Sequence, residues 1–162
     1  MFTASELQTQ IGLNTSKYRF EYYNPSHLQN ASLRDIDKQL INSFEINFID
    51  EKHIDGLTFT ALYGNTVIMI VGVYPLWTGV ADIFMVATTH LHDHKFHFHR
   101  TTHRFLRYSA IKLKLWRYQC YVCALNVLAI KWIEACYFTN EGRLKKFGPD
   151  KLDYFIYGRV FE

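Results

Sequence analysis

A chain of 162 residues, 49% apolar and 17% aromatic, can bury a sizeable core without staples and is too apolar to stay disordered. The longest apolar run, residues 67–77, falls short of the ~20 residues a membrane helix needs, and the start MFTASELQTQIG lacks a basic segment followed by an apolar core, so neither a membrane span nor a secretory signal peptide is expected. The net charge of +3 is unevenly spread: residues 1–93 hold five Lys/Arg against ten Asp/Glu, residues 94–133 hold eight and none, and residues 134–162 hold five of each.

Length alone suggests one domain over residues 1–162. Residues 1–17 are polar and read as a loose arm, or as a short helix over 5–11. The alternation KYRFEYY predicts a strand over 17–23, which Asn24-Pro25-Ser26 breaks and converts into a helix start. Ile36, Leu40, Ile41 and Phe44 follow helical spacing, so a second helix is expected from Ser32 or Asp35 to Phe44, and residues 46–56 read as a polar connection. Strands are expected over 58–63, 66–73 and 80–87, joined by turns at Gly64-Asn65 and residues 75–79, which makes an antiparallel meander. The main helix spans 96–115, with Asp93 as its expected N-cap, and a strand follows over 118–125. Asn126 is placed to cap a short amphipathic helix carrying Ala129, Ile130 and Ile133. Two β-rich runs, 137–146 and 152–160, flank Gly148-Pro149-Asp150 and read as a closing hairpin. Cys120, Cys123 and Cys136 lie in apolar surroundings and read as reduced, buried thiols.

Asn126, Ala129, Glu134, Phe138 and Glu141-Gly142-Arg143-Leu144 resemble the last third of the GCN5-related N-acetyltransferases (GNAT superfamily), and most of all its ribosomal-protein-acetylating branch. The hairpin ending Tyr157-Gly158-Arg159 is similar as well. The short length, Pro75-Leu76-Trp77 and the missing cofactor glycines look most like the GNAT-like internal virion and head-assembly proteins of short-tailed bacteriophages. The resemblance implies an α+β fold: a single mixed, mostly antiparallel sheet with helices on both faces, in the order β, α, α, β, β, β, α, β, α, β, β.

In that superfamily the acetyl-CoA pyrophosphate lies against a glycine-rich turn and the helix that follows the fourth strand, because bare backbone amides can close on phosphate only where no side chain intervenes. The corresponding segment here, VATTHLHDHKFHFHR from Val86 to Arg100, has no glycine, nor has any position from Ala81 to Glu141. Where many members place a tyrosine acid, seven residues after the helix-capping Asn, this chain has Ile133, and the glycine usual before Phe138 is Tyr137. The leading expectation is therefore a degenerate, non-catalytic protein without a resident cofactor. It would act in virion assembly, in the virion or the host cytoplasm, by binding other virion proteins and DNA. The alternative is an acetyl-CoA-dependent N-acetyltransferase with an atypical loop. There Asp82, His90 or His92 would serve as base, and Val86, His97, His99, Arg100 and Asn126 would contact the cofactor. A further alternative is a phage factor that binds and inhibits a host protein.

Six of the eight histidines fall within fourteen positions, His90 to His103. Three readings stay open. An extended segment would align His90, His92 and His94 for a metal, and His99 and His103 are one helical turn apart, as in two-histidine zinc sites. The loop could instead satisfy its imidazoles locally. Or the cationic residues Lys95, His97, His99 and Arg100, which oppose the macrodipole at a helix start, could answer to an acidic partner. The main helix presents Phe98, Thr102, Phe105, Leu106, Ala110 and Leu113 on one face and Arg100, Arg104, Arg107 and Lys114 on another. That basic face and Trp77 are the expected partner-binding surface, for an acidic protein or for DNA phosphates.

Overall fold

The computed structural model describes residues 3–12, 17–43 and 57–161. Seven strands form one sheet: β1 (Tyr18–Tyr22), β2 (Thr58–Tyr63), β3 (Thr66–Trp77), β4 (Val80–Ala87), β5 (Arg117–Cys123), β6 (Thr139–Leu144) and β7 (Tyr154–Val160), in spatial order β1-β2-β3-β4-β5-β7-β6. Every pairing is antiparallel except β4 with β5. Helices α1 (Ala4–Ile11), α4 (Lys95–Lys112) and α5 (Val127–Ala135) bring Leu7, Phe105 and Ile133 to one face; α2 (Pro25–Gln29) and α3 (Asp35–Ser43) bring Leu28 and Ile41 to the other. This is the α+β architecture that the order of elements implied.

Local chemistry explains most element boundaries. Turns of two residues, Gly64-Asn65 and Thr78-Gly79, join β2 to β3 and β3 to β4, and both glycines hold left-handed φ of 60° and 79°. The second turn is shorter than the sequence suggested. Pro75 is absorbed into β3 opposite Ala81, and the register shifts between Pro75 and Trp77, where an irregularity tolerates a residue without a backbone donor. The expected helix end at Phe44 and the connection over 46–56 lie outside the described residues.

Of the two expectations for residues 1–17, the short helix is the one found, over Ala4–Ile11, in place of a loose arm. Thr3 and Glu6 form a reciprocal capping box, Gly12 closes the helix at φ 71°, and Leu7 and Ile11 are fully buried under α4. Arg104 of α4 donates from Nη1 to the Ile11 carbonyl at 3.0 Å, so the helix end is tied down as well. Main-helix limits also differ slightly: α4 begins one residue earlier than expected and ends at Lys112, and β5 begins at Arg117.

The far edge of the sheet is held by a side-chain bridge. Arg117 of β5 donates from Nη1 to Glu141 Oε1 of β6 at 2.9 Å, passing over β7 at Gly158. A Cβ at Gly158 would meet the ends of both side chains, so a larger residue there would push the bridge aside.

Two measurements check this description. Leu7→Ala is expected to lower stability by about 2–5 kcal/mol in urea unfolding, because it empties a core site, whereas a loose arm would leave stability unchanged. The Arg117 hydrogen bond holds the Glu141 carboxyl below its usual value of 4.5. A depressed carboxyl contributes stability above its unfolded pKa and loses it as pH falls through the folded one. Glu141→Gln is therefore expected to give a shallower loss of stability below about pH 4.5 than the parent chain, by unfolding at stepped pH.

Candidate functional site

The parallel pairing of β4 with β5 is short. It runs Val80–Arg117, Ala81–Tyr118 and Asp82–Gln119, and from Ile83 and Cys120 onward the two strands diverge. A cleft opens between them. Three cavities of about 230, 160 and 90 Å³ line it, with Met85 as a wall common to all three. The largest lies between residues 87–95 and α5, the second faces α3, and the third sits between α4 and α5.

Asn126 stands where the first two cavities meet. Its Oδ1 accepts from the Ala129 amide at 3.2 Å, which makes it the N-cap expected from sequence. Its Nδ2 donates to Asp37 Oδ1 of α3 at 3.2 Å, and Arg34 holds the other Asp37 oxygen. This relay ties α3 to α5 across the cleft and engages both functional groups of the Asn126 amide. Two buried donors in the cleft, by contrast, have no hydrogen-bond partner among the described residues: Thr102 Oγ1 and Trp132 Nε1.

The segment after β4 departs from the extended geometry that would align the histidines. Residues Thr89–His94 form a 3-10 helix that leads directly into α4, so His90, His92 and His94 fan out around a three-residue turn. His90 and His92 are exposed, and His92 lines the cleft cavity of about 230 Å³ together with Lys95. The turn is satisfied internally. Thr88 N–H donates to the Ile68 carbonyl at 3.0 Å, Thr89 N–H to Ser32 at 2.8 Å and Leu91 N–H to Thr88 at 3.2 Å, while Lys95 N–H donates to the His92 carbonyl. The Thr88 hydroxyl reaches the Val67 and Ile68 carbonyls, each at 2.9 Å, and Leu91 is buried beneath the turn. Because the 3-10 turn supplies the approach to α4, His94 takes the N-cap position that Asp93 was expected to hold, with no side-chain cap bond.

The remaining histidines divide into two groups. His94 pairs through Nδ1 with the Tyr18 hydroxyl at 2.7 Å, and the His97 ring stacks on Tyr18 at 4.1 Å between centroids. These two belong to the packing of α4 on β1 and β2. Burial, with help from His94 and the nearby arginines, holds His97 below the ordinary histidine pKa, so it packs as the neutral ring. His99 and His103 turn the other way, towards α5, with their Nε2 atoms 3.2 Å apart. Cys136, the residue that ends α5, completes a group of three whose ligand atoms all lie within 4.8 Å of one another. Sequence spacing exposed the two histidines but not the cysteine, which reaches them only through the fold.

The other candidates are scattered. Asp82 is buried at the last position of β4 that pairs with β5 and lines none of the three cleft cavities; Val86 lines the cavity under α3. Arg100, Arg107 and Lys114 are exposed, while Arg104 is engaged with α1. At the end of the sheet away from the opening of the cleft, Gly79 accepts from the Trp116 amide at 2.9 Å. This contact sets the Trp77 hairpin beside the loop after α4. Trp77 (63% exposed), Trp116 (52%) and Ile111 (69%) lie uncovered there, with Arg107 and Lys114 lining a groove against Trp116.

No protein-family model matches the sequence, and no curated protein matches it. Solved structures do. Ard1 from Thermoplasma volcanium superimposes with a TM-score of 0.70 over 90% of this chain and 99% of its own, at 11% identity. A GNAT-family acetyltransferase from Bacillus anthracis gives 0.69 over 91% and 96%, at 14% identity. The microcin C7 self-immunity acetyltransferase MccE, solved in complex with acetyl-CoA and AMP, gives 0.62 over 91% and 94%, at 14% identity. The fold is GNAT-like.

The relay across the cleft can be measured directly. Asn126→Ala is expected to cost about 1–2 kcal/mol of unfolding free energy, through loss of the helix cap and of the bond to Asp37. A loss below a few tenths of a kcal/mol would mean that the cap is not formed.

Proposed function

We propose that this protein works by docking rather than by acetyl transfer: it is a degenerate GNAT-like binding protein that acts in virion assembly, in the virion or the host cytoplasm. One observation carries the reading. The turn where a GNAT-type fold would close bare amides on a diphosphate is wound into a 3-10 helix whose amides at Thr88, Thr89, Leu91 and Lys95 already have backbone partners. The Asn126 amide is likewise engaged at both ends. Binding acetyl-CoA in the family manner would require unwinding this turn and drawing Leu91 out of the core.

The partner surface is the end of the sheet that carries Trp77, Ile111 and Trp116 beside Arg107 and Lys114. Exposed tryptophans next to cations suit an acidic protein surface, where the rings anchor and the charges steer. Arg100, further along α4, extends the same positive face, and phosphate contacts with DNA would use it in a salt-sensitive way. The virion setting comes from the resemblance of the sequence to phage head proteins.

A second reading has an observation of its own. The cleft between β4 and β5 is open, Thr102 and Trp132 line it and carry buried donors without a partner among the described residues, and MccE was solved with acetyl-CoA on a similar fold. An N-acetyltransferase would then hold the pantetheine arm in the cleft and use His92 and Lys95 at its mouth, with the turn rearranged.

Thermal unfolding with acetyl-CoA separates the two. A ligand present at 100 times its dissociation constant stabilises by about 2.7 kcal/mol. The docking reading expects no shift at millimolar acetyl-CoA and an unchanged melt for Trp132→Phe. A shift that Trp132→Phe reduces would establish the cofactor reading instead.

A further inference from the structure

We propose that His99, His103 and Cys136 form a binding site for a zinc ion that ties α4 to the C-terminal end of α5. This goes beyond the docking function and does not depend on it.

The geometry is that of a nearly assembled site. Two nitrogens on a tetrahedral zinc, each at about 2.0–2.1 Å, lie roughly 3.3 Å apart. His99 Nε2 and His103 Nε2 are 3.2 Å apart. A thiolate at about 2.3 Å from the metal would sit roughly 3.6 Å from each nitrogen. One ligand atom from each of the three residues can be chosen so that all lie within 4.8 Å of one another, which leaves the sulfur a short approach to make. The two histidines are one turn apart on α4, which puts both rings on one face without distortion.

The surroundings hold these ligands in place. Cys136 is fully buried and its backbone is pinned. Its amide donates to the Trp132 and Ile133 carbonyls at 3.1 and 3.0 Å, and its carbonyl accepts from Arg159 Nη1 at 2.9 Å. Tyr137 follows with φ of 63°, a left-handed backbone that a tyrosine adopts only against strain, and its ring lies 5.0 Å from that of His103. The Trp132 ring closes the side next to His99, at 5.6 Å.

Two imidazoles and a thiolate form a nitrogen–sulfur set suited to zinc rather than to magnesium or calcium, which take oxygen ligands. On binding, Zn²⁺ gains one sulfur and two nitrogen bonds, and the Cys136 thiol gives up its proton to water. Three protein ligands leave a fourth position for a water molecule. Since α4 and α5 wall one face of the cleft, the ion would brace that wall.

The test titrates the full chain with Co²⁺ and then Zn²⁺ alone. The expected result is one cobalt per chain, with tetrahedral visible bands and a thiolate-to-cobalt charge-transfer absorption, displaced by one equivalent of zinc and accompanied by a higher melting temperature. Cys136→Ser is expected to abolish the charge-transfer band. His99→Gln and His103→Gln are expected to weaken binding at least tenfold, whereas the double variant His90→Ala/His92→Ala should retain it. Because Cys136 is fully buried and its serine variant can fail to fold, His103→Gln, at a half-buried position, decides the matter if its circular dichroism matches the parent. Absence of a charge-transfer band in the parent chain overturns the proposal. So does unchanged cobalt affinity in His103→Gln, or binding lost only in His90→Ala/His92→Ala, which would place the metal on exposed surface histidines.

Discussion

The divergence of β4 from β5 after Asp82 and Gln119 is the constraint on which the rest of the molecule depends. Parallel strands that part company leave backbone edges without a ladder partner, and buried edges of that kind must be covered. This chain covers them with helices. α4 and α5 close one side with Phe105, Leu106, Ile133 and Trp132, while α3 closes the other with Leu40 and Ile41. The Arg34–Asp37–Asn126 relay then joins the two sides through the gap. Cleft, relay and helix placement thus follow from one interruption in the sheet.

Against that framework, the turn after β4 carries most of the functional argument. A glycine-rich loop leaves its amides pointing outward for an anion. Here the side chains of Thr88 and Leu91 anchor the turn inward, and the amides find backbone acceptors in the 3-10 helix, in β3 and in Ser32. The charge at the start of α4, with Lys95 and three histidines close by, does not recreate the missing cradle. His94 and His97 turn into the aromatic cluster around Tyr18, and His99 turns towards α5. One short stretch of sequence therefore feeds three separate environments: exposed turn, aromatic core and the pocket beside Cys136.

Much of the fold was legible in the sequence because its signals were local. Alternation marked the first strand, Gly64-Asn65 marked the first hairpin of the meander, and Asn126 announced its helix through a side chain that can reach the third amide. What was not legible depended on long-range contact. Residues 1–17 look polar enough to leave a loose arm open beside the short helix, and the helix prevails because Leu7 and Ile11 are buried and Arg104 of α4 holds its end. Alternating histidines suggest a strand, but the 3-10 helix prevails because Leu91 gains burial and Thr88 gains two carbonyls. Pro75 suggests a turn, but the strand continues through an irregular register. Cys136 could be joined to His99 and His103 only by knowing how α5 packs, since nothing in the spacing links a cysteine at one helix end to a histidine pair on another.

The central claim is that the backbone amides of Thr88, Thr89, Leu91 and Lys95 are engaged within the protein and not held out for a phosphate. Amide hydrogen exchange, with and without acetyl-CoA, measures this residue by residue. The account predicts that Thr88, Thr89, Leu91 and Lys95 exchange slowly in the free chain and at the same rate when acetyl-CoA is added. Fast exchange at these amides in the free chain, slowed by acetyl-CoA, would contradict it.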